Sequence, residues 1–289
     1  MNNLKIAIQG VKGAFHEIAA QEYFGSNIEL VECLTFRQLI SSTDNGAADM
    51  AIMAVENSVA GTILPNFGLL MESNLTITGE VYLRIVQNLL ALPGQKVATI
   101  VEVRSHPMAL AQCQNYLQKQ NIARLVETED TALAALELAN SNTKGVGVIA
   151  SKLAAEQYHL EIVAEGIETN KENYTRFLVL ERSSKKQTVV NKATICFSAK
   201  HEPGSLARVL SGFSNSQVNL TLIQSLPMVG RKWEYFFIAD LTFHSYQNFE
   251  SALNYLKRET SSIQILGEYK QGKEIEGKQT TLTVHQNGN

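Results

Sequence analysis

The chain has 289 residues, 45% of them hydrophobic and 18% charged, which suits two folded domains of ordinary size and excludes a disordered chain. A formal charge of -3 gives no electrostatic reason to expect nucleic acid or an anionic membrane as partner. Cys33, Cys113 and Cys196 are odd in number, far apart and set in apolar surroundings, which argues against a disulfide framework and for a reducing compartment.

Residues 4–8 read as a short apolar strand, and residues 10–13 as a turn into a helix over 17–23. The chain enters this strand at once, so no signal peptide is expected. Residues 50–55 are a second buried strand, followed by a polar loop and a helix near 63–71. Residues 76–82 and 87–92 are further strands. Residues 99–103 lead into a helix begun by Pro107. Thr128 or Asp130 can cap a helix through Leu138, residues 145–149 form a strand entering a helix through Tyr158, and 175–180 is a closing strand. Strands alternating with helices predict an α/β fold with largely parallel sheets.

Residues 181–191 (ERSSKKQTVVN) are polar and lack a period until their end. They place a linker at 183–191 between a first domain, 1–182, and a second, 192–272. The second reads as a strand at 194–198, an amphipathic helix at 204–213 and a strand at 218–227. A hairpin turn follows at Gly230-Arg231, then a strand at 233–243, a helix at 248–259 and a strand at 263–267. That order is βαββαβ, a ferredoxin-like unit. The polar tail, 273–289, is expected to fray. No stretch is long enough to span a bilayer, and the six histidines lack ligand spacing, so a cytoplasmic protein without a built-in metal site is expected.

Three polar islands interrupt the apolar stretches of the first domain. Glu56-Asn57-Ser58 follows the strand at 50–55, at the carboxyl end where open α/β sheets collect ligands; a side-chain-stabilised turn is the alternative. Ser105-His106-Pro107 sits at a helix mouth, where free N–H groups and the helix dipole favour an anion. Helical spacing puts positions 105, 109, 112 and 116 near one line, so Ser105 and Gln112 can share a face, while Leu110, Cys113 and Leu117 form an apolar stripe. His106 alone is a helix cap, a packed ring or a proton-switching group. In Thr175-Arg176-Phe177, strand geometry sends Thr175 and Phe177 to one face and Arg176 to the other, so only one of Thr175 and Arg176 looks into a cleft unless the strand starts irregularly at Tyr174. Phe177 is most simply core, and Arg176 can hold a structural carboxylate. Together the islands offer neutral donors beside one carboxylate and one guanidinium, which suits a polar organic anion without a cofactor.

Taken in order, these segments resemble the prephenate dehydratase family over essentially the whole chain. The resemblance runs through Gly10…Gly13-Ala14-Phe15-His16-Glu17, Glu56-Asn57-Ser58 with Gly61, and Gln87-Asn88-Leu89. It continues through Ser105-His106-Pro107…Gln112-Cys113, Asp130-Thr131-Ala132 and Thr175-Arg176-Phe177. It implies a two-lobed, periplasmic-binding-protein-like catalytic domain with its active site in the interlobe cleft, followed by an ACT regulatory domain. The implied reaction turns prephenate into phenylpyruvate, carbon dioxide and water, with no metal or cofactor. Thr175 is then the donor to the leaving hydroxyl, Asn57, Ser105 and Gln112 are neutral donors, and Arg176 is an anchor or organiser. Glu56, Ser58, His106, Thr131 and Phe177 are expected around the substrate.

In the second domain the resemblance implies a phenylalanine site formed between chains from Gly204, Ser205, Leu206, Asn219, Gln224 and Ser225, and hence a homodimer or homotetramer. The chain departs from the family with Val11, Ala14 and His16 in place of Pro, Thr and Ser, Gln87 in place of His, and Asp130 in place of Ser. Thr169 stands in place of Asp or Asn, and Gln224-Ser225-Leu226-Pro227 in place of Glu-Ser-Arg-Pro. Two other readings stay open: arogenate dehydratase, which performs the same elimination on the amino-acid analogue, and a non-catalytic amino-acid sensor.

Overall fold

A computed structural model describes residues 3–122, 124–182, 188–200, 202–228, 230 and 234–273. The chain opens with β1 (Leu4–Gln9), α1 (Phe15–Phe24), β2 (Ile28–Cys33), α2 (Phe36–Asp44), β3 (Met50–Asn57), the short β4 (Gly61–Thr62), α3 (Leu64–Glu72) and β5 (Thr76–Arg84). It then crosses to a second sheet with β6 (Asn88–Ala91), β7 (Glu102–Ser105), α4 (Pro107–Gln112), α5 (Gln114–Lys119), β8 (Arg124–Glu127), α6 (Thr131–Ser141), β9 (Val146–Ala150), α7 (Lys152–Gln157) and β10 (Glu161–Ala164). β11 (Tyr174–Glu181) returns to the first sheet. The C-terminal unit is β12 (Lys192–Ala199), α8 (Ser205–Asn215), β13 (Asn219–Pro227), β14 (Tyr235–Thr242), α9 (Tyr246–Glu259) and β15 (Thr260–Tyr269), in the βαββαβ order expected.

Side-chain caps account for several helix starts. Thr35 and Gln38 form a capping box at α2, while Asp130, Ser151 and Ser245 accept backbone N–H groups at α6, α7 and α9. β3 is apolar from Ala51 through Val55 because it is covered on both faces, by clusters containing Leu39, Phe67 and Leu70 on one side and Ile8, Ala20 and Phe177 on the other.

Two lobes result, joined by the crossings between β5 and β6 and between β10 and β11. Strand direction corrects the expectation of largely parallel sheets. β2, β1 and β3 run parallel, but β11 enters antiparallel to both β3 and β5. In the second lobe β8, β7 and β9 are parallel, whereas β6 opposes β9 and β10. The reversal follows from the return crossing, which brings β11 into the first sheet from the opposite end.

Sequence reading passed over α2 and the strands β2, β8 and β10. All three strands lie at sheet edges, where exposure dilutes the apolar run that marks a covered strand. The strand expected at 99–103 begins at Glu102, after a 3-10 turn at Val97–Thr99. Arg231 and Trp233, residues 183–187 of the expected linker and 274–289 of the expected tail lie outside the described residues. Gly230, at the expected turn, has φ 82°.

The C-terminal unit shares the first lobe's sheet. β15 runs parallel to β5 through the pair Gly267 and Ile77, extending the sheet in the order β13-β14-β12-β15-β5-β11-β3-β1-β2. A Cβ on Gly267 would fall 2.2 Å from the Ile77 carbonyl oxygen, so only glycine fits. Beside this join lies a buried polar network. Arg176 Nε meets Glu80 at 2.7 Å, its Nη1 pairs with Asp240, and its Nη2 donates to the Tyr269 hydroxyl at 3.1 Å. Lys192 Nζ also reaches Glu80, at 2.9 Å, and Thr194 Oγ1 donates to Asp240 at 2.6 Å. Burial works against the Arg176 charge, but Asp240, Tyr269 and Glu80 overcome it and raise its pKa well above the ordinary value.

Candidate active site

A cavity of about 590 Å³ opens between the lobes. It is lined from the first lobe by His16, Phe36, Ala54, Asn57, Thr175 and Phe177, and from the second by Gln87, His106, Ala109, Gln112, Asp130 and Thr131, among others. The N-termini of α1, α3 and α6 converge on it through Phe15, Ile63 and Thr131, bringing positive dipole ends to its wall.

β11 alternates as strand geometry requires. Thr175 and Phe177 face the cavity, and Arg176 faces the buried network on the opposite side. Around Thr175 the hydrogen bonds have a fixed direction, set by the backbone. Asn57 Oδ1 accepts the N–H groups of Val59 at 3.0 Å and Ala60 at 2.8 Å, so its Nδ2 must donate. That nitrogen reaches Asn173 Oδ1 at 2.8 Å, Thr175 Oγ1 at 3.0 Å and the Tyr174 carbonyl at 3.1 Å. Asn173 Nδ2 then donates to Gln112 Oε1 at 2.9 Å, and Gln112 Nε2 reaches back to Asn57 at 3.5 Å. Because the Thr175 oxygen already accepts from Asn57, its own proton is free to point at a ligand. The network ties the lobes together, since Asn57 and Thr175 belong to one and Gln112 to the other.

Two histidines add neutral polarity. His16 Nε2 accepts the Ala54 N–H at 3.3 Å, and the ring stands edge-on to Phe177 with centroids 5.0 Å apart. Burial drives its pKa down to about 3, so the imidazole is neutral and Nδ1 carries the hydrogen. His106 caps α4, its Nδ1 accepting the Met108 N–H at 3.2 Å, which leaves Nε2–H as the donor. Burial lowers its pKa against the opposing pull of Asp130 and Glu127.

Of the expected site residues, Asn57, Gln112, Thr175, His106, Thr131 and Phe177 line the cavity, and Phe177 is core as well. Four do not. Ser105 is the last residue of β7, not part of α4, so helical spacing never applied to it. Its hydroxyl donates to the Ile149 carbonyl at 2.6 Å and fastens β7 to β9. The helix also stops at Gln112, although Ala109 and Gln112 do share the cavity face. Ser58 donates to the Glu172 carbonyl at 2.7 Å and accepts the Tyr174 N–H at 2.9 Å, stitching the loop to the start of β11. Glu56 is half-exposed beside Arg176, and Arg176 is committed to the network behind the strand.

Cys113 is buried core with its thiol pushed up to about 12, as the apolar stripe implied. The residue missed was Asn173. It is fully buried at the centre of the network and shares the alternation of Thr175 and Phe177, which is the signal that could have found it.

A model of the prephenate dehydratase family matches residues 6–185. The chain belongs to the prephenate dehydratase family. It is 35% identical over 268 residues to the bifunctional chorismate mutase/prephenate dehydratase of Aquifex aeolicus, covering 92% of this chain and 73% of that protein. It is equally 35% identical, over 280 residues, to arogenate dehydratase/prephenate dehydratase 2 of Arabidopsis thaliana, covering 93% and 73%. The crystal structure of prephenate dehydratase from Arthrobacter aurescens in complex with L-Phe superposes with a TM-score of 0.83 at 28% identity, covering 92% of this chain and 89% of that one. Membership in this family makes the chain a carbon–oxygen lyase.

Proposed function

We propose that the chain catalyses the decarboxylating dehydration of prephenate to phenylpyruvate in L-phenylalanine biosynthesis. The observation that carries this reading is the Thr175 hydroxyl, whose oxygen is occupied by Asn57 and whose proton is left for a group in the cleft. In the reaction the ring carboxylate leaves as carbon dioxide. Its bonding pair moves into the ring, and the C–O bond opposite breaks as the ring becomes aromatic. The departing oxygen leaves as hydroxide and takes up one proton to become water. Thr175 is proposed to donate the hydrogen bond that the oxygen strengthens as it gathers charge. Asn57 and Gln112 hold that donor in place, and the helix N-termini suit the substrate's carboxylates.

The C-terminal unit is proposed to be an ACT domain that senses phenylalanine. A second cavity, of about 780 Å³, lies at the N-terminus of α8 and is lined by Gly204, Ser205 and Leu206. The Ser205 hydroxyl there is buried without a hydrogen-bond partner among the described residues, which suits an amino-acid carboxylate. Asn219, Gln224 and Ser225 lie on β13 and do not line this cavity; β13 is the terminal strand of its sheet, so a second copy could pair there. A homodimer or homotetramer is the proposed assembly, and the Arthrobacter relative crystallised with L-Phe supports the ligand. A cytoplasmic location is proposed from the three buried free cysteines; among the described residues no helix is long and apolar enough to cross a membrane.

The test is purified protein with prephenate, scored by phenylpyruvate formed. Thr175→Ala should keep its fold, because Asn57 Nδ2 retains the Asn173 and Tyr174 acceptors. Its kcat should drop by roughly 10²–10⁴ with little change in KM. Turnover near wild type would remove Thr175 from the reaction.

A further inference from the structure

The directed hydrogen bonds of the cleft reach one residue further, to a position where this chain departs from its family. Gln112 Oε1 is an acceptor, since Asn173 donates to it. Gln87 Nε2, 3.3 Å away, must therefore be the donor in that pair. An inverted amide would set two carbonyl oxygens against each other. Gln87 is thereby locked with its Oε1 turned away from Gln112. The residue is only 3% exposed and lines the cleft, yet this oxygen finds no donor among the described residues. A buried acceptor left unmet is destabilising unless a ligand supplies the hydrogen.

A second departure adds charge of matching sense. Asp130 lines the same cavity, with Glu129 beside it, and no lysine or arginine is among the lining residues. One Asp130 oxygen accepts the Leu133 N–H at 2.9 Å to cap α6. The other lies against Gly10, where a Cβ would come within 2.9 Å of it, so the glycine leaves room for this oxygen. The N-termini of α1 and α3 already turn positive dipole ends toward carboxylates. What Asp130 and Gln87 add is a negative charge and a fixed acceptor.

We propose that Asp130 and Gln87 act at the substrate's side chain, admitting an α-ammonium group beside the α-keto group of prephenate. This rests on the elimination proposed above and concerns the part of the substrate that does not react. A keto oxygen brings no hydrogen and meets acceptors. An ammonium group brings three N–H bonds and a positive charge, which Asp130 balances and Gln87 Oε1 partly accepts. Arogenate, the amino-acid analogue of prephenate, presents that group.

The experiment compares kcat/KM for arogenate and prephenate in wild type, Asp130→Asn and Gln87→Met. Asparagine is as good an N-cap as aspartate, so Asp130→Asn removes the charge and keeps the start of α6. Its arogenate-to-prephenate ratio should fall by about tenfold or more, the loss falling chiefly on arogenate. Gln87→Met should lower the same ratio in the same direction. Circular dichroism melting of each variant verifies that the fold persists. Ratios unchanged in both variants, or both substrates lost by equal factors in a folded protein, would overturn the proposal. A wild-type protein that converts neither substrate would instead overturn the elimination.

Discussion

Asp240 lies in the C-terminal unit but neutralises a charge borne by the strand that carries Thr175. The buried network holds two cations, Arg176 and Lys192, and two carboxylates, Glu80 and Asp240; Glu56 is half-exposed at 3.6 Å. Asp240→Ala leaves Glu80 shared between two buried cations and removes the carboxylate to which Thr194 donates. Removing one partner of such a pair costs about 3–5 kcal/mol, a large share of the roughly 5–15 kcal/mol that holds a folded protein together. At about 2–4 °C per kcal/mol for a unit of this size, the melting temperature should fall by roughly 6–20 °C. Replacing the pair together, as Arg176→Met with Asp240→Leu, should cost less than Asp240→Ala, because no charge is left stranded. Calorimetric melting of the three proteins at neutral pH checks this. A shift of less than about 3 °C for Asp240→Ala would refute the view that these groups sit in a low-dielectric interior.

His16 titrates near 3 in the folded chain and near 6.5 when unfolded, so between these values the unfolded state binds more protons and stability falls as pH drops. His16→Gln should remove a slope of up to about 1.4 kcal/mol per pH unit, seen by urea unfolding at pH 7 and pH 5; parallel pH dependence in the two proteins would argue against it. Gly13 has φ 87°, and a Cβ there would fall 2.8 Å from the Ala154 Cα, while its carbonyl accepts from Ser151 across the lobes at 2.6 Å. Gly13→Ala should destabilise by about 1–3 kcal/mol and raise KM by loosening that contact, so unchanged melting and KM would count against it. Ser205→Val should weaken the response to phenylalanine by roughly tenfold in a titration of activity, and an unshifted midpoint would separate Ser205 from ligand binding.

Much of the site was legible because strands have period two. The opposite facing of Thr175 and Arg176 followed from alternation alone; which of them met the cleft required knowing that β11 inserts between β3 and β5. The same parity points to Asn173, although the strand begins only at Tyr174. Ser105 failed for the complementary reason, since helical spacing was carried one turn back into a strand. The βαββαβ order was legible because each of its elements carries its own local pattern. That this unit would join the first lobe's sheet was not, because the junction rests on Gly267 and Ile77, distant in sequence and matched only by shape.

That junction also governs how the molecule meets other chains. With β15 alongside at Ile77, β5 is flanked on both sides there, and among the described residues the main path of the long sheet runs from β13 to β2. A polypeptide cut at the linker would bare the backbone of β5 at the buried Ile77, the kind of unpaired edge to which an extended neighbour can add. The C-terminal unit therefore covers an edge of the first lobe's sheet as well as lengthening that sheet.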